Sequence, residues 1–385
     1  MSKRSDTYIS PTKSIRRTLK ICSTAALLLS HPGFSTVAYA AELPQTPPSQ
    51  IARLTTTVTP VEIEQQISAL ISQQLFDPAL LQLATTKQHL LQQQQLAAQS
   101  KDLADFVHQF NQLWRNGPWS HVQLGPRRIP ANQMAAFVDQ MDAGPDAVKL
   151  SWLGAVPVLT VNTMLGKNTM QQIPQAFVQL QQAGAKQLII DLRHNKGGAF
   201  AVKPLVEHLL PQPLEGGVFV SRHWYTKSQQ ATPDEQDIAK TPVWQQWDLQ
   251  AFWQALASQP LVRIQFSPAQ PVFAGDVWLL TSHQTASAAE MAVAALQQAN
   301  RVTVIGERTA GEMLSQTMFD VAGDLQLSLP IASYIANQYG PIEGNGLAPD
   351  LNVPADQALQ RALVLAGQAA AIHTQAIQPT STDKD

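Results

Sequence analysis

Residues 156–305 alternate between apolar, strand-like runs and amphipathic, helix-like runs, and this alternation narrows the available folds more than any other feature. Strands are predicted at 156–161, 187–192, 277–281 and 302–305, and helices at 170–183, 203–210 and 287–299. Parallel strands need long crossover connections, so strands that alternate with helices form βαβ units. The sequence therefore predicts an α/β fold whose sheet is at least partly parallel.

Two regions depart from this alternation. Residues 211–270 form an irregular insertion with four tryptophans among polar residues, typical of a lid or substrate-facing flap, although it could also pack on the flank of the domain. Residues 61–120 are rich in Gln, Leu and Ala at helical spacing and predict an N-terminal helical domain of two to four helices. The remaining fold is expected to span residues 121–374, with a disordered tail at 375–385.

The N-terminal residues 1–40 have the pattern of a secretory signal peptide. Six basic residues precede the apolar run 21–29, and Ala38-Tyr39-Ala40 fits a cleavage site, so we expect cleavage after Ala40 and a periplasmic or secreted protein. An extended lead-in at 41–60 follows. No later segment is long and apolar enough to insert into a membrane, and Cys22, the one cysteine, lies within the expected signal peptide.

Charge makes nucleic acid a poor candidate partner. Beyond residue 40 the chain has 20 basic and 27 acidic residues, a net charge of −7, and the basic residues are scattered. Neither a HExxH motif nor, after cleavage, a cysteine is present, so we expect neither a metal nor another cofactor.

The segment Thr285-Ala286-Ser287-Ala288-Ala289-Glu290 leads from an apolar strand directly into a helix. A serine there has its hydroxyl beside unpaired backbone N–H groups at the positive end of the helix. That position suits a nucleophilic serine next to an oxyanion hole. The alternative is an ordinary N-cap, with Glu290 completing a capping box.

Three further segments follow predicted strands or lie in turns. Gly197-Gly198 ends the run 191–198, where backbone N–H groups can bind an oxyanion, although a tight turn alone would also explain the glycines. The loop 306–311 follows a strand, and the turn-rich run 342–350 contains Glu343. In isolation, the last two segments are interpreted only as loops.

Together these four segments resemble the C-terminal processing peptidases, a family of tail-specific serine proteases. The matching pieces are the Asp-Leu-Arg-x-Asn-x-Gly-Gly loop, the Ser-Ala-Ala-Glu helix start, the Gly-Glu-x-Thr-x-Gly loop and the Glu-Gly-x-Gly-x-x-Pro-Asp turn. The resemblance covers residues 150–360 and implies a crotonase-like α/β peptidase domain. It implies Ser287 as nucleophile, with the N–H groups of Ala288 and of Gly197 or Gly198 as oxyanion hole.

The commonest pattern of that family pairs the serine with a lysine, and this chain lacks the lysine. The corresponding position, 25 residues after Ser287, is Glu312, and the chain has no lysine between Lys240 and Lys384. A carboxylate, with a reference pKa of about 4, cannot act as the neutral amine of the dyad. Another base is required, and histidine is the usual one.

His121 is the first candidate for that base. Ser120-His121 resembles the Ser-His pair of the tricorn protease core, a branch with a serine–histidine–serine–glutamate tetrad. The resemblance implies His121 as general base, Ser120 as its support and Glu343 as the end of the relay. His121 as a turn histidine and Glu343 as a surface residue are the alternatives, and His194 and His283 are reserve bases.

Only about thirty residues separate His121 from the first sheet strand, too few for the PDZ domain found in many of these peptidases. This arrangement is similar to the interphotoreceptor retinoid-binding protein-like branch. The leading hypothesis is an exported serine peptidase that acts on peptide or protein substrates. The alternatives are a binding protein for an apolar ligand or peptide on the same scaffold, and an interaction protein that assembles through its Gln-rich helices. The sequence leaves the oligomeric state open.

Overall fold

The fold is a mixed α/β structure built from two sheets. The computed structural model describes residues 58–228 and 232–377. Within those residues the helices are α1 (Pro60–Gln74), a 3-10 turn (Pro78–Gln82), α2 (Ala84–Gln99), α3 (Leu103–Trp114), α4 (Ala131–Gln140), α5 (Lys167–Gln182), α6 (Val202–Glu207), α7 (Arg222–Lys227), α8 (Glu235–Lys240), α9 (Leu249–Ser258), α10 (Ala288–Gln298) and α11 (Ala355–Ile377). The strands are β1 (Gln123–Pro126), β2 (Val148–Leu153), β3 (Val156–Val161), β4 (Gln187–Asp191), β5 (Leu214–Ser221), β6 (Leu261–Phe266), β7 (Asp276–Thr281), β8 (Thr303–Gly306), β9 (Ser315–Val321), β10 (Leu325–Ala336), β11 (Gly340–Pro341) and β12 (Leu351–Asn352).

The first sheet contains the predicted alternation and has the strand order β12-β8-β7-β4-β3-β2. All neighbours are parallel except the hairpin of β2 and β3. Its central strands are apolar on both faces: Leu188 and Ile190 pack toward α5, α6 and α10, whereas Ile189 packs toward α11. Each strand predicted between 156 and 305 is present, and the predicted partly parallel sheet is confirmed.

The second sheet is antiparallel, with the order β1-β10-β5-β6, and β9 and β11 also pair with β10. The prediction of an irregular insertion at 211–270 is wrong in this respect, because β5 and β6 belong to this sheet and three helices connect them. Phe266 and Val220 are fully buried. Two adjacent glycines in β5 and the polar residues Arg263 and Gln265 in β6 make these strands hard to recognise in the sequence.

Helices α1, α2 and α3 pack on the second sheet rather than on the first. Phe106 and Phe110 of α3 share one hydrophobic core with Leu327 and Leu329 of β10. Helix α1 begins with a capping box between Thr59 and Glu62. This packing places the loop after α3, which contains Ser120 and His121, beside β10.

Several predictions fall partly or wholly outside the described residues. The expected signal peptide at 1–40 lies outside them, as does the lead-in up to residue 57. Helix α11 continues to Ile377, so the predicted tail from residue 375 begins inside a helix, and residues 378–385 are not described. None of the helices in the described part combines the length and apolar character needed to cross a bilayer.

Candidate active site

The first sheet brings three of the sequence motifs together at one edge. Strands β4, β7 and β8 are parallel, so the loops after their carboxyl ends lie side by side, where open α/β sheets bind ligands. Ala286 N donates to the Asn195 carbonyl oxygen at 3.1 Å. This bond joins the glycine loop (192–198, after β4) to the serine loop (282–287, after β7). Ala310 N donates to the Thr285 carbonyl oxygen at 2.9 Å and adds the loop after β8.

Ser287 has a backbone conformation that an ordinary N-cap does not have. Its φ is 55° and its ψ is −124°, whereas N-cap residues are normally extended. Among the described non-glycine residues only four have positive φ, and two of them are His121 and Ser287. Strained backbone of this kind concentrates at functional sites, and a sharp strand-to-helix turn presents the nucleophilic serine of α/β-hydrolases.

Gly197 lies in close contact with residues 286–288, which we call the serine turn. A Cβ atom at this position would lie 2.6 Å from the Ser287 Cβ and 2.8 Å from the Ala286 carbonyl oxygen. Its φ of +93° also disfavours any residue with a side chain. Glycine is therefore required here both by the backbone conformation and by the approach of the two loops.

Three backbone N–H groups near Ser287 differ in whether they are free. Gly197 N donates to the Asn195 Oδ1 at 2.8 Å, and Asn195 itself is fully buried. The N–H groups of Gly198 and Ala288 donate to no group among the described residues. Of the two glycine donors considered from sequence, Gly198 is thus the one with an available N–H, next to that of Ala288.

Ser120, His121 and Glu343 form one hydrogen-bonded relay across 223 positions of the chain. His121 Nδ1 lies 2.5 Å from Ser120 Oγ, and Ser120 Oγ donates to Glu343 Oε2 at 3.1 Å. Ser120 N donates to Glu343 Oε1 at 2.9 Å, and Met313 N donates to Glu343 Oε2 at 2.7 Å. Of the two residues predicted from sequence to support the base, Ser120 contacts His121 directly and Glu343 contacts Ser120.

With Glu343 ionised, the hydrogen bonds of Ser120 favour one tautomer of His121. The Ser120 hydroxyl has one proton, and the Glu343 carboxylate can only accept it. The Ser120 oxygen is then an acceptor for the proton on His121 Nδ1, which leaves Nε2 without a proton. An imidazole held this way can accept a proton at Nε2.

Burial controls the charge of both titratable groups in the relay. Loss of solvation lowers the pKa of His121 from 6.5 to about 4, so the imidazole is neutral at pH 7. Burial also raises the pKa of Glu343, and hydrogen bonds from Ser120 and Met313 oppose that rise. The nearby negative charge of Glu312 raises the pKa of Glu343 further.

The relay and the serine turn are separate hydrogen-bonded groups. Within the part of the chain that is described, no hydrogen bond joins the Ser287 hydroxyl to the His121 ring. The reserve bases contact neither group: His194 is exposed, and His283 Nδ1 pairs with Glu307 at 3.0 Å. Catalytic hydrogen bonds are often long without substrate, so this separation does not exclude His121.

Glu290 connects these two hydrogen-bonded groups. The sequence alone assigns Glu290 only a capping role. The carboxylate of Glu290 accepts from Ser287 N at 3.0 Å and from Glu312 N at 2.9 Å. The next N–H along the chain, that of Met313, donates to Glu343. The sequence signal was the pairing of the Ser-Ala-Ala-Glu and Gly-Glu-x-Thr-x-Gly motifs, but their mutual contact is visible only in the fold.

The described residues contain no group of three or more His, Cys, Asp or Glu side chains arranged to hold a metal ion.

Comparison with known proteins identifies related chains. The family model described as Peptidase family S41 matches residues 155–353. A carboxyl-terminal-processing protease of Synechocystis sp. is 27% identical over 226 residues, which cover 54% of this chain and 43% of that protein. A carboxyl-terminal-processing protease of Picosynechococcus sp. is 26% identical over 187 residues, 49% of this chain and 36% of that protein.

The match spans less than half the length of both of these curated relatives. Among solved structures, a candidate peptidase from Parabacteroides merdae superposes with a TM-score of 0.54 at 14% identity. That alignment covers 80% of this chain and 96% of the other. At this identity the likeness shows a shared fold.

Proposed function

Because the chain belongs to peptidase family S41, we propose that it is a serine peptidase that cleaves peptide or protein substrates through an acyl-enzyme on Ser287. The main support is the conformation of Ser287, whose positive φ places it on a strained turn at the start of α10. Beside it are the N–H groups of Gly198 and Ala288, neither of which has a partner in the described structure.

In the proposed reaction His121 Nε2 takes the proton from Ser287 Oγ as that oxygen bonds to the substrate carbonyl carbon. The negative charge that develops on the carbonyl oxygen is stabilised by N–H donors of Gly198 and Ala288. The carbon–nitrogen bond then breaks, and the proton on His121 goes to the leaving amine. Water repeats the sequence on the acyl-enzyme and returns the proton to Ser287.

Ser120 and Glu343 are proposed to orient the base rather than to receive the proton. Their hydrogen bonds hold Nδ1 protonated, and a carboxylate at the end of the relay stabilises the imidazolium that forms. Glu312, at the lysine position of the dyad peptidases, contributes its backbone N–H to Glu290. A histidine base is therefore the assignment that this set of contacts supports.

We further propose that the domain of residues 121–374 is crotonase-like, with residues 61–120 as an N-terminal helical domain. The pattern of residues 1–40 supports export and a periplasmic or secreted location. Cleavage near a protein C-terminus is the activity named for the Synechocystis and Picosynechococcus relatives. Profiling of the peptides that this protein cleaves tests whether it shares that activity.

Labelling with a fluorophosphonate probe tests the nucleophile and the base together. We expect the purified protein to label, Ser287→Ala to lose all labelling, and His121→Ala to label at least about 100-fold more slowly, as expected for loss of a general base. Ser258→Ala is the matched control, since Ser258 is exposed on α9, and should label as wild type.

Three outcomes would contradict the proposal. Equal labelling of wild type and Ser287→Ala would remove the nucleophile assignment. Full-rate labelling of His121→Ala would move the base to another group. A folded wild-type protein that never labels would favour a binding protein on the same scaffold.

A further inference from the structure

Glu290 is a buried carboxylate whose partners all belong to the candidate site. Its side chain is fully buried at the third position of α10. Oε1 accepts from Thr309 Oγ1 at 2.6 Å and from Gly311 N at 2.8 Å, while Oε2 accepts from Ser287 N and Glu312 N. No ion pair to Glu290 is formed among the described residues.

The four donors match an ionised carboxylate and not an amide. Burying a charge without a counterion is costly unless hydrogen bonds compensate it. An ionised carboxylate offers only acceptors, about two per oxygen, so four donors satisfy it completely. Glutamine would present an N–H2 group to two of these donors and would leave them unpaired.

These hydrogen bonds connect the nucleophile to the relay through two consecutive residues. Glu312 N donates to Glu290, and Met313 N donates to Glu343, which in turn binds Ser120. A displacement of Glu290 would therefore move the serine turn relative to the segment that supports the base. The two N–H groups belong to adjacent planar peptide units, so only the two backbone dihedrals of Glu312 separate them.

We propose that Glu290 is a positioning residue, which holds the strained Ser287 turn against the Gly311–Met313 segment and thereby fixes Ser287 relative to the His121 relay. This inference rests on the proposed peptidase function. A purely structural Glu290 would affect folding, whereas a positioning residue affects the rate of the chemical step in protein that remains folded.

The test compares Glu290→Gln with Glu307→Gln by fluorophosphonate kinetics, with folding checked by near-UV circular dichroism and Tm. Glu307 is the matched control, because it is a carboxylate on the loop 306–311, which contacts Glu290, but it pairs with His283 instead. We expect folded Glu290→Gln to lose about 10- to 100-fold in the maximal inactivation rate with KI unchanged, since small displacements of reacting groups cost this much. Glu307→Gln should match wild type.

A second pair of variants keeps the test valid if Glu290→Gln does not fold. Thr309→Val removes one donor to Glu290, and Thr309→Ser retains it. We expect a slower maximal inactivation rate for the valine variant and recovery in the serine variant.

The inference would be overturned by a folded Glu290→Gln that labels within twofold of wild type or, where that variant does not fold, by equal maximal rates for the two Thr309 variants. A loss confined to KI would also overturn it. These results differ from failure of the proposed function, in which labelling of wild type would be absent or independent of Ser287.

Discussion

The nucleophile region and the base region of this molecule are constructed in different ways. The surroundings of Ser287 come from loops that follow neighbouring parallel strands, so the sheet itself places Gly197 and Ala310 beside the serine loop. The His121 relay instead joins the loop after α3 to Glu343, 223 residues further along the chain. The first region depends on regular topology, and the second depends on packing of the N-terminal helices against the second sheet.

This difference indicates which perturbations each region tolerates. At the nucleophile, two backbones are so close that a single added carbon atom cannot fit. At the relay, the contacts are made by side chains whose charge depends on burial. Backbone variants should therefore damage the first region most, and changes of pH should act mainly on the second.

The largest effect is expected for Gly197→Ala. The new Cβ would lie 2.6 Å from the Ser287 Cβ, and the φ of +93° adds strain. We expect fluorophosphonate labelling to fall at least about 100-fold and the free energy of unfolding to fall by about 2–5 kcal/mol. Denaturant titration and labelling kinetics measure the two effects.

Gly184→Ala separates the close approach from the strain of positive φ. Gly184 follows α5 with a φ of +64°, and a Cβ there would meet no atom within 4 Å. We expect a loss of about 1–2 kcal/mol from the left-handed conformation alone and unchanged labelling. If both variants label alike, close packing around Ser287 is not what the site requires.

An intermediate effect is expected from acidification. Burial lowers the pKa of His121 to about 4, so the base stays unprotonated well below pH 6.5. We expect the labelling rate at the Ser287 nucleophile to change little from pH 7 to about 5.5 and to fall steeply only below that, as the imidazole takes up a proton. A half-maximal rate near the ordinary histidine pKa of about 6.5 would show that His121 is solvated.

The same shift affects stability with a defined sign. The pKa of His121 is lower in the folded protein than in the unfolded chain, so the unfolded chain binds more protons as the pH falls from 6.5 toward about 4. The stabilisation is complete above pH 6.5 and is lost through that window. His121→Asn, which tolerates positive φ, should lose less stability than wild type over this range.

The smallest effect is expected for His283→Ala. The side chain of His283 is 74% exposed in its pair with Glu307, so we expect a stability change below about 0.5 kcal/mol. Labelling should be that of wild type. A loss of labelling beyond tenfold would assign the base to His283 and remove the contrast between the two regions.

The sequence predicts the central strands of the first sheet well because they are buried on both faces. The apolar run 188–190 has no polar interruption, and β3, β4 and β7 are each followed by a helix. Strands β5 and β6 were missed, because the sheet that contains them is antiparallel and the helices between them resemble an insertion. Residue composition does not indicate which distant strand they pair with.

The sequence names candidate residues for the site but does not give their geometry. Motifs named Ser287, His121, Ser120 and Glu343, and the last three are in contact. The sequence could not show that the Gly197 N–H is occupied by Asn195, since this depends on a loop conformation. It also could not reveal the four donors to Glu290, which come from two segments, the turn at Ser287 and residues 309–312.

The order of the relay along the chain has a consequence for biosynthesis. Glu343 is synthesised more than two hundred residues after Ser120 and 56 residues after Ser287. A nascent chain can therefore contain Ser287 and His121 while Glu343, the carboxylate of the relay, has not yet been synthesised. On the proposed chemistry, full hydrolytic activity would begin only after residue 343 has been added and has folded against Ser120.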